Sequence, residues 1–560
     1  ILTLNGAANH SSQTHLIKSL ALFLLLILPG GHALAQPTFT RADSLRGMLT
    51  PLRTCYDIHY YHLDVKIDTT TKSLAGSNVI AFTATQDFDR MQIDLFENLK
   101  IAKIVLDDGR PLSFQRETNA VFIQMPEKLR QNARHRITVF YSGMPQIARR
   151  PPWEGGFSWQ RDERGNPWLA VTCQGTGASV WWPNKDHQSD EPDSMLLSVT
   201  VPKGLMNISN GRLRAQTDLP GNWTRFDWFI SYPINNYNVT LNVGKYAHWR
   251  DYYIAGDTLT LDYYVMPYNL DKAKKQFEQV KPMMAAFEKY FGKFPFPRDG
   301  FKLVESWHLG MEHQTAVAYG NHYLQGYRGR ASSPVGLKFD FIIIHETAHE
   351  WWGNSVTSED IADMWIHESF GAYAEAVYVE ELFGYDQALQ YVNGKKSNVQ
   401  NDRPIIGVYG VHRRGSGDMY DKGQLVLNTL RHVIADDGLW WAIIKGLAED
   451  FKHSIVTADQ VFAYINQKSG KDYGYFFEQY FKNTKIPQLE ITVTQHRDSV
   501  TAQYRWRAEA PDFRMPVKVT TAKDKFAFIY PTNTSQTTRL EGVSPEEFRV
   551  AEDLFYIDVK

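Results

Sequence analysis

The sequence predicts an α+β protein of several domains: an all-β N-terminal domain, a mainly helical middle domain and a small C-terminal β-sandwich. Three observations carry this prediction. The chain has 560 residues, enough for about three or four domains. Alternating apolar and polar residues dominate its first half and return near its end. Helical periodicity occupies the stretch between them, so we place the domains at residues 36–267, 268–486 and 487–560.

Composition narrows the classes of function. Hydrophobic residues make up 43% of the chain, enough to bury several cores, which excludes a disordered protein. The 60 Lys and Arg against 62 Asp and Glu leave a formal net charge of −2, which argues against a nucleic-acid partner. Two cysteines, Cys55 and Cys173, exclude a disulfide scaffold and a four-cysteine metal site, and leave one disulfide open.

An export signal is expected at residues 17–35. An apolar run at residues 20–28 follows Lys18, is broken by Pro29, and leads to Ala33-Leu34-Ala35. The run is too short to cross a bilayer, which takes about 20 residues. This layout predicts a secretory signal peptide cleaved after Ala35, hence a periplasmic or secreted protein with no transmembrane anchor after signal removal. A buried helix is the alternative interpretation.

Strands of the N-terminal domain follow from period-two alternation, which begins at Tyr56. Further short strands are expected at four places, separated by turns rich in Gly, Pro and Asn: 79–83, 137–141, 198–201 and 259–264. The first strand should bury one face, made of four residues: Tyr61, Leu63, Val65 and Ile67.

Helices of the middle domain begin after Asn269. Residues 270–291 predict an amphipathic helix that ends at Gly292. Helical patterns continue to about residue 483, and Thr457 with Gln460 forms the capping box of one helix.

The C-terminal domain is predicted from the alternation that returns after Pro487. Its strand faces are expected at two places: Leu489, Ile491 and Val493, and Val517 with Val519. These strands predict a small β-sandwich.

Residues 345–349, His-Glu-Thr-Ala-His, carry the chemistry of the middle domain. The i, i+4 spacing puts both imidazoles on one face of a helix, where they can hold one cation. Imidazole nitrogens are typical zinc ligands. Glu346 lies one residue off that face, where it can take a proton from a water nucleophile. Two surface histidines on an ordinary helix are the alternative interpretation.

A third ligand decides the type of metal site. An elongated zincin motif needs Gly and His three and six residues after His349, where this chain has Trp352 and Ser355. Glu368, separated from His349 by 18 residues, is the next candidate, and two His with one Glu is a catalytic zinc set. The neighbouring ionisable residues are interpreted as structural, solvated or supporting the ligands: His367, Glu375, Glu380 and Glu381.

Three motifs together resemble the M1 family of zinc aminopeptidases. The first is HExxH at 345–349, followed after 18 residues by Glu368, with Trp-x-Gly-Asn at 351–354. The second is Leu-Gly-Met-Glu-His at 309–313, which is similar to that family's Gly-x-Met-Glu-Asn, and the third is Tyr-Asp-Lys-Gly at 420–423. The resemblance covers nearly all of the chain after the signal. It implies a thermolysin-like catalytic domain between the two β domains, and one zinc ion per chain.

The resemblance also implies roles for single residues. His345, His349 and Glu368 would bind zinc, and Glu346 would be the general base. Tyr420 would donate to the oxyanion of a tetrahedral intermediate. Binding of the peptide's free α-ammonium would fall to Glu312 and Gln174. The implied reaction is hydrolysis of N-terminal residues from peptides.

Departures from the family pattern leave alternatives open. Leu309 and His313 replace the first Gly and the Asn of the exopeptidase motif, and Arg413 and Arg414 precede Tyr420 as loop arginines. One alternative is another hydrolase on the same scaffold, an endopeptidase or an enzyme that opens epoxides, as one family relative does. The other is a non-catalytic binding module, which the presence of all three ligands and the Glu base argues against.

Overall fold

The computed structural model describes residues 39–496, 499–522 and 525–560, and one compact unit spans Thr40–Lys560. The signal peptide predicted at 17–35, with its cleavage after Ala35, lies outside the described residues. Within the described part of the chain, no helix is both long and apolar enough to cross a bilayer.

The N-terminal region consists of two β-sheets preceded by two short helices, α1 (Arg41–Gly47) and α2 (Pro51–Thr54). Its strands are β1 (Tyr56–Asp68), β2 (Ser73–Ala84), β3 (Phe88–Asp94), β4 (Leu99–Leu106), β5 (Pro111–Glu117), β6 (Ala120–Leu129), β7 (Arg134–Gly143), β8 (Gly156–Arg161), β9 (Pro167–Thr172), β10 (Ser194–Pro202), β11 (Met206–Ser209), β12 (Arg212–Leu219), β13 (Trp223–Ile230) and β14 (Leu241–Gly244). The large sheet has the order β12-β13-β10-β1-β2-β7-β4-β5-β6-β3, and the small one β11-β14-β9-β8.

Strand β1 lies inside the large sheet, with β2 antiparallel on one side and β10 parallel on the other. The predicted face of β1 is completely buried, and it comprises Tyr61, Leu63, Val65 and Ile67. Full burial of such a side chain stabilises the fold by about 1.5–3 kcal/mol. The alternation that predicted this strand is therefore confirmed, as are the strands expected at 79–83, 137–141 and 198–201.

Both cysteines lie in this region as free, buried thiols. The disulfide that the sequence left open is not formed. Burial raises the pKa of both thiols, that of Cys55 to about 11, so neither is a reactive thiolate at neutral pH.

A five-stranded sheet opens the middle region. Its strands are β15 (Ala247–Ala255), β16 (Asp257–Val265), β17 (Phe301–Glu305), β18 (Gly310–Met311) and β19 (Val317–Tyr319), in the order β15-β16-β17-β19-β18. The strand predicted at 259–264 forms as β16, but it pairs in parallel with β17 and not with the N-terminal sheets. This sheet therefore runs across the boundary predicted at residue 267.

Helices make up most of the remaining middle region. They are α3 (Leu270–Gln276), α4 (Val280–Phe291), α5 (Phe341–Ala348), α6 (Trp365–Phe383), α7 (Tyr385–Gly394), α8 (Asp421–Ile434), α9 (Asp437–Asp450), α10 (Ala458–Ser469) and α11 (Gly474–Phe477), with a small parallel pair of β20 (Val356–Ser358) and β21 (Ser454–Val456). The helix predicted at 270–291 forms with a 3₁₀ turn at Phe277–Gln279, and it ends at Gly292, whose φ of 84° suits glycine. The capping box of Thr457 and Gln460 is confirmed.

The C-terminal region is the predicted β domain. Its strands are β22 (Gln488–His496), β23 (Ser499–Arg507), β24 (Val517–Ala522), β25 (Lys525–Ile529), β26 (Gln536–Glu541) and β27 (Asp558–Val559). Four form a sheet of order β26-β23-β22-β27, and β24 pairs with β25. Leu489, Val517 and Val519 are completely buried, as their alternation predicts. Trp506 on β23 donates its indole N–H to the carbonyl of Met515, just before β24.

Candidate metal centre and active site

A cleft of about 590 Å³ brings all seven predicted site residues together. They come from distant parts of the chain: Gln174, Glu312, His345, Glu346, His349, Glu368 and Tyr420. The N-terminal β region supplies Gln174, and the other six come from the middle region.

Helix α5 places the two histidines. Its N-cap residue Asp340 accepts a hydrogen bond from the amide of Ile342 at 3.0 Å. The next residues of the helix are buried isoleucines, Ile342 to Ile344, which hold it in the core. His345 lies in the last turn and His349 is the C-cap residue, still with right-handed helical φ and ψ. The predicted i, i+4 pairing of the imidazoles therefore holds at the very end of the helix.

The two imidazoles and Glu368 form a set that fits zinc. Nε2 of His345 lies 3.3 Å from Nε2 of His349, and Oε2 of Glu368 lies 3.7 and 3.4 Å from these nitrogens. Tetrahedral zinc with bonds of about 2.0–2.1 Å separates its ligand atoms by about 3.3 Å. Oε2 is buried and has no hydrogen-bond partner in the described structure. A buried acceptor facing two imidazole nitrogens is what a cation would satisfy.

Both imidazoles are oriented through their other nitrogen. Nδ1 of His345 lies 2.7 Å from Oε1 of Glu375, and Nδ1 of His349 lies 2.8 Å from the carbonyl oxygen of Trp352. These acceptors place the proton on Nδ1 and leave the Nε2 lone pair for a metal. Gly371 on α6 allows the close approach, because a Cβ there would lie 2.9 Å from Cε1 of His349.

Glu346 is placed as the predicted base. One of its carboxylate oxygens lies within 4.8 Å of ligand atoms of Glu312 and His349. Gly310 permits this position, since a Cβ there would lie 2.7 Å from Oε1 of Glu346. Burial, together with the charges of Glu312 and Glu368, raises the pKa of Glu346 to about 8 against the lowering effect of the histidines. A pKa nearer neutrality favours proton transfer in both directions.

Gln174 and Glu312 meet across the boundary between the β and helical regions. The side-chain amide of Gln174 donates to Oε1 of Glu312 at 2.6 Å and to Oε1 of Glu368 at 2.8 Å. Asn354, from the Trp-x-Gly-Asn motif, donates to the main-chain carbonyl of Glu312 at 2.9 Å. Burial raises the pKa of Glu312. The carboxylate is thus fixed beside the candidate metal ligands.

Tyr420 approaches the site from the start of α8. Its hydroxyl donates to Oε1 of Glu368 at 2.7 Å. Ser369 on α6 donates to the carbonyl of Met419 at 2.7 Å, which holds the preceding turn against the helix that carries Glu368. Burial, with Glu368 nearby, raises the pKa of Tyr420 well above its ordinary value, so the hydroxyl keeps its proton.

Two family models match the chain. The Peptidase M1 N-terminal domain matches residues 58–237 and the Peptidase family M1 domain matches residues 275–480, together more than half of the chain. The chain belongs to the M1 family of peptidases. The resemblance inferred from the three motifs is therefore confirmed.

Known proteins similar to this M1 chain include enzymes of animals and bacteria. Endoplasmic reticulum aminopeptidase 1 of Mus musculus is 25% identical over 37% of this chain, which spans only 22% of the mouse protein. Leukotriene A-4 hydrolase of Xenopus laevis is 24% identical over 74% of this chain and 69% of the frog protein. A mutant M1 zinc metallopeptidase of Deinococcus radiodurans, solved with a Tyr-Ser-Ala substrate, is 18% identical with a TM-score of 0.64, over 77% of this chain and 95% of that chain.

The family's usual residues are absent at two positions, and the structure shows where their replacements lie. Leu309 is buried and lines the cleft, and Gly310 beside it keeps the close contact with α5. His313 is completely buried and does not line the cleft. The loop residues Arg413 and Arg414 also lie outside the cleft lining.

Besides Glu368, helix α6 carries three acidic residues, of which one contacts the site and two do not. Glu375 is buried, and besides His345 it accepts from the hydroxyl of Tyr391 at 2.6 Å. Lys395 lies 3.5 Å from the same carboxylate. Burial opposes ionisation, but Lys395 and the hydrogen bonds hold the pKa of Glu375 below its ordinary value. Glu380 and Glu381 instead form ion pairs with Arg431 and Lys289.

Tyr237 contacts the site, although the sequence did not indicate it, and it links His367 to the site. Tyr237 is buried, and its hydroxyl lies 3.2 Å from Oε1 of Glu312 and 3.3 Å from Nδ1 of His367. His367, which the sequence predicts to be structural, does not line the cleft, and its contact with Tyr237 links it to Glu312. No local pattern marks Tyr237, which lies in a 3₁₀ turn 75 residues before Glu312.

Glu375→Ala is expected to weaken metal binding by about 10–100-fold, because His345 loses the acceptor that sets its tautomer and orientation. Competition with a chelator of known zinc affinity measures this directly, without an activity assay. Glu380→Ala is the matched control, since it removes an ion pair from the same helix without touching an imidazole. Equal metal affinity in both variants would show that Glu375 does not orient the ligand.

Proposed function

We propose that this protein is a zinc-dependent aminopeptidase that removes single N-terminal residues from peptides. The position of Glu312 carries the proposal: a buried carboxylate with an oxygen within 4.8 Å of Glu346 and His349. A peptide whose first carbonyl is next to the metal ligands and base would place its α-ammonium against this carboxylate. The names of the mouse relative and of leucyl aminopeptidase from Saccharolobus solfataricus support the proposal.

His345, His349 and Glu368 would hold the zinc ion. Bound there, zinc supplies a Lewis acid that polarises the scissile carbonyl and acidifies water. Family membership and the 3.3–3.7 Å spacing of the three ligand atoms support this assignment.

Glu346 would take the proton of the attacking water and pass it to the leaving amine. The hydroxyl of Tyr420 would turn from Oε1 of Glu368 to donate to the oxyanion of the tetrahedral intermediate. Both groups belong to this chain and lie in the same cleft.

Gln174 and Glu312 would restrict cleavage to the first peptide bond. An α-ammonium forms charge-assisted hydrogen bonds with the Glu312 carboxylate. A chain that continued beyond this point would present a neutral amide in place of the ammonium. The buried carboxylate would then lack its cationic partner, which is costly in a site shielded from water.

Aminoacyl-p-nitroanilides and their N-acetylated forms test this function. We expect hydrolysis of the free-amine compounds only, its loss on treatment with a zinc chelator, and its return with zinc. Cleavage of blocked and free compounds at similar rates would identify an endopeptidase. An enzyme for another bond, or a binding module, would release no nitroaniline from either set although it bound zinc.

We also propose that the protein is exported. The apolar run at residues 20–28 and the Ala-Leu-Ala that follows support this. N-terminal sequencing of the protein expressed in a bacterial host is expected to find Gln36 as the first residue of a periplasmic or secreted form. Retention of the intact leader in the cytoplasm would contradict it.

A further inference from the structure

We propose that Tyr237 and His367 are positioning residues that hold the carboxylate of Glu312 in place for the substrate's α-ammonium. The inference rests on the proposed function, because it takes Glu312 as the amine-binding group. Three elements meet here: a 3₁₀ turn of the β region at Asn236–Asn238, helix α6, and the segment after β18.

In the hydrogen bonds that link His367, Tyr237 and Glu312, each donor can be assigned. The main-chain N–H of Ser358 can only donate, and it lies 2.8 Å from Nε2 of His367. Nε2 is therefore an acceptor, and the ring proton is on Nδ1. Nδ1 faces the hydroxyl oxygen of Tyr237 at 3.3 Å, so the hydroxyl accepts from the ring. Its own proton then points to Oε1 of Glu312, 3.2 Å away.

The two residues that lead to Glu312 in this series of hydrogen bonds are buried. Tyr237 and His367 are buried and do not line the cleft, so their polar atoms depend on protein partners, whereas Glu312 lines the cleft. The ring of His367 is wedged against Gly353, where a Cβ would lie 3.1 Å from its Cγ. The rings of Tyr237 and His367 are inclined by 23°, with their centroids 6.4 Å apart.

The two carboxylate oxygens of Glu312 therefore differ in their hydrogen bonds. Oε1 accepts two hydrogen bonds, from Gln174 and from Tyr237. Both donors are neutral, so they orient the carboxylate without neutralising its charge. Oε2 accepts no hydrogen bond from the described residues. The negative charge is therefore held in one orientation, with one oxygen free to receive an ammonium group.

A pair of inhibitors isolates this effect. Leucine hydroxamate and its des-amino analogue carry the same metal-binding group and differ only by the α-amino group. The ratio of their inhibition constants reports amine recognition alone, since metal binding is common to both. We expect the wild-type protein, loaded with zinc, to bind leucine hydroxamate more tightly.

Tyr237→Phe removes the hydroxyl and keeps the ring. We expect it to raise the inhibition constant of leucine hydroxamate by about ten-fold and to leave that of the des-amino analogue within about two-fold, as loss of a hydrogen bond to a charged group predicts. Tyr246→Phe is the matched control, because its buried hydroxyl donates to the carbonyl of Glu305, which is not part of the cleft lining. It should leave the ratio of the two constants unchanged.

Two variants of His367 test the chain independently of Tyr237. His367→Asn keeps an N–H at the place of Nδ1, and His367→Gln can keep an acceptor at the place of Nε2 but no donor towards Tyr237. The Asn variant should preserve more of the amine preference than the Gln variant. If Tyr237→Phe does not fold, this pair decides the matter.

Each outcome points to one conclusion. A wild-type protein that does not distinguish the two hydroxamates would overturn the role of Glu312 in the proposed function. If the wild-type protein distinguishes them and Tyr237→Phe keeps the same ratio, the positioning role is wrong. Equal weakening of both inhibitors would also overturn it, because the hydroxyl would then support the metal site or the fold.

Discussion

Glu346→Gln is expected to lower kcat by about 10²–10⁴-fold while zinc stays bound. The amide keeps the shape of the carboxylate but cannot take a proton from water or return it to the leaving amine. Glu346 is not one of the three residues whose ligand atoms face each other across the metal position, so the metal content should not change. Steady-state kinetics with aminoacyl-p-nitroanilides and elemental analysis of the same sample measure both quantities.

Glu350→Gln provides the control for that experiment. Glu350 is also a buried carboxylate near the end of α5, but it accepts from the amide of Thr315 at 2.7 Å and does not line the cleft. Its replacement should change kcat little. A near-normal kcat for Glu346→Gln would place the base elsewhere in the cleft, and loss of zinc in that variant would assign Glu346 to the metal site instead.

Glu312→Ala is expected to lower kcat/KM on free-amine substrates by about 30- to 5,000-fold, the equivalent of about 2–5 kcal/mol. The substrate ammonium would lose its main anionic partner in a site where water is partly excluded. N-acetylated substrates have no ammonium to lose, so the variant should be no worse on them than the wild type. The preference for free over blocked substrates should therefore shrink towards unity.

Glu312→Gln separates charge from shape in this prediction. The amide oxygen can still accept from Gln174 and Tyr237, but the side chain no longer carries a negative charge. We expect it to lose most of the preference for free amines, as Glu312→Ala does. If either variant reduced the rates on free and blocked substrates equally, Glu312 would act on the metal site or the fold, and another residue would bind the amine.

Much of this molecule follows from the sequence because the signals are local. Apolar residues at every second position of β1 lie on one face, and a shift of register by one residue would expose them, so the pattern alone predicts the buried face. In a helix, residues four apart lie on the same face, which is why the spacing alone brings His345 and His349 together. Gly292 ends α4 because glycine tolerates a positive φ. The 18-residue gap to Glu368 and the two further motifs identified the family, which the family models confirm.

Tertiary structure alone decided how the residues of the site contact one another. Gln174 lies 194 residues from Glu368 and donates to it, and Tyr237 lies 130 residues from His367. Glu375 and Glu380 are glutamates of the same helix that the sequence does not distinguish, yet only Glu375 contacts an imidazole, and Glu380 pairs with Arg431. The alternation of β16 suggested a strand of the N-terminal domain, but β16 pairs with β17, which lies beyond the boundary predicted at residue 267. Periodicity states which face of an element is buried, but the partner that buries it is chosen by packing between segments far apart in the chain.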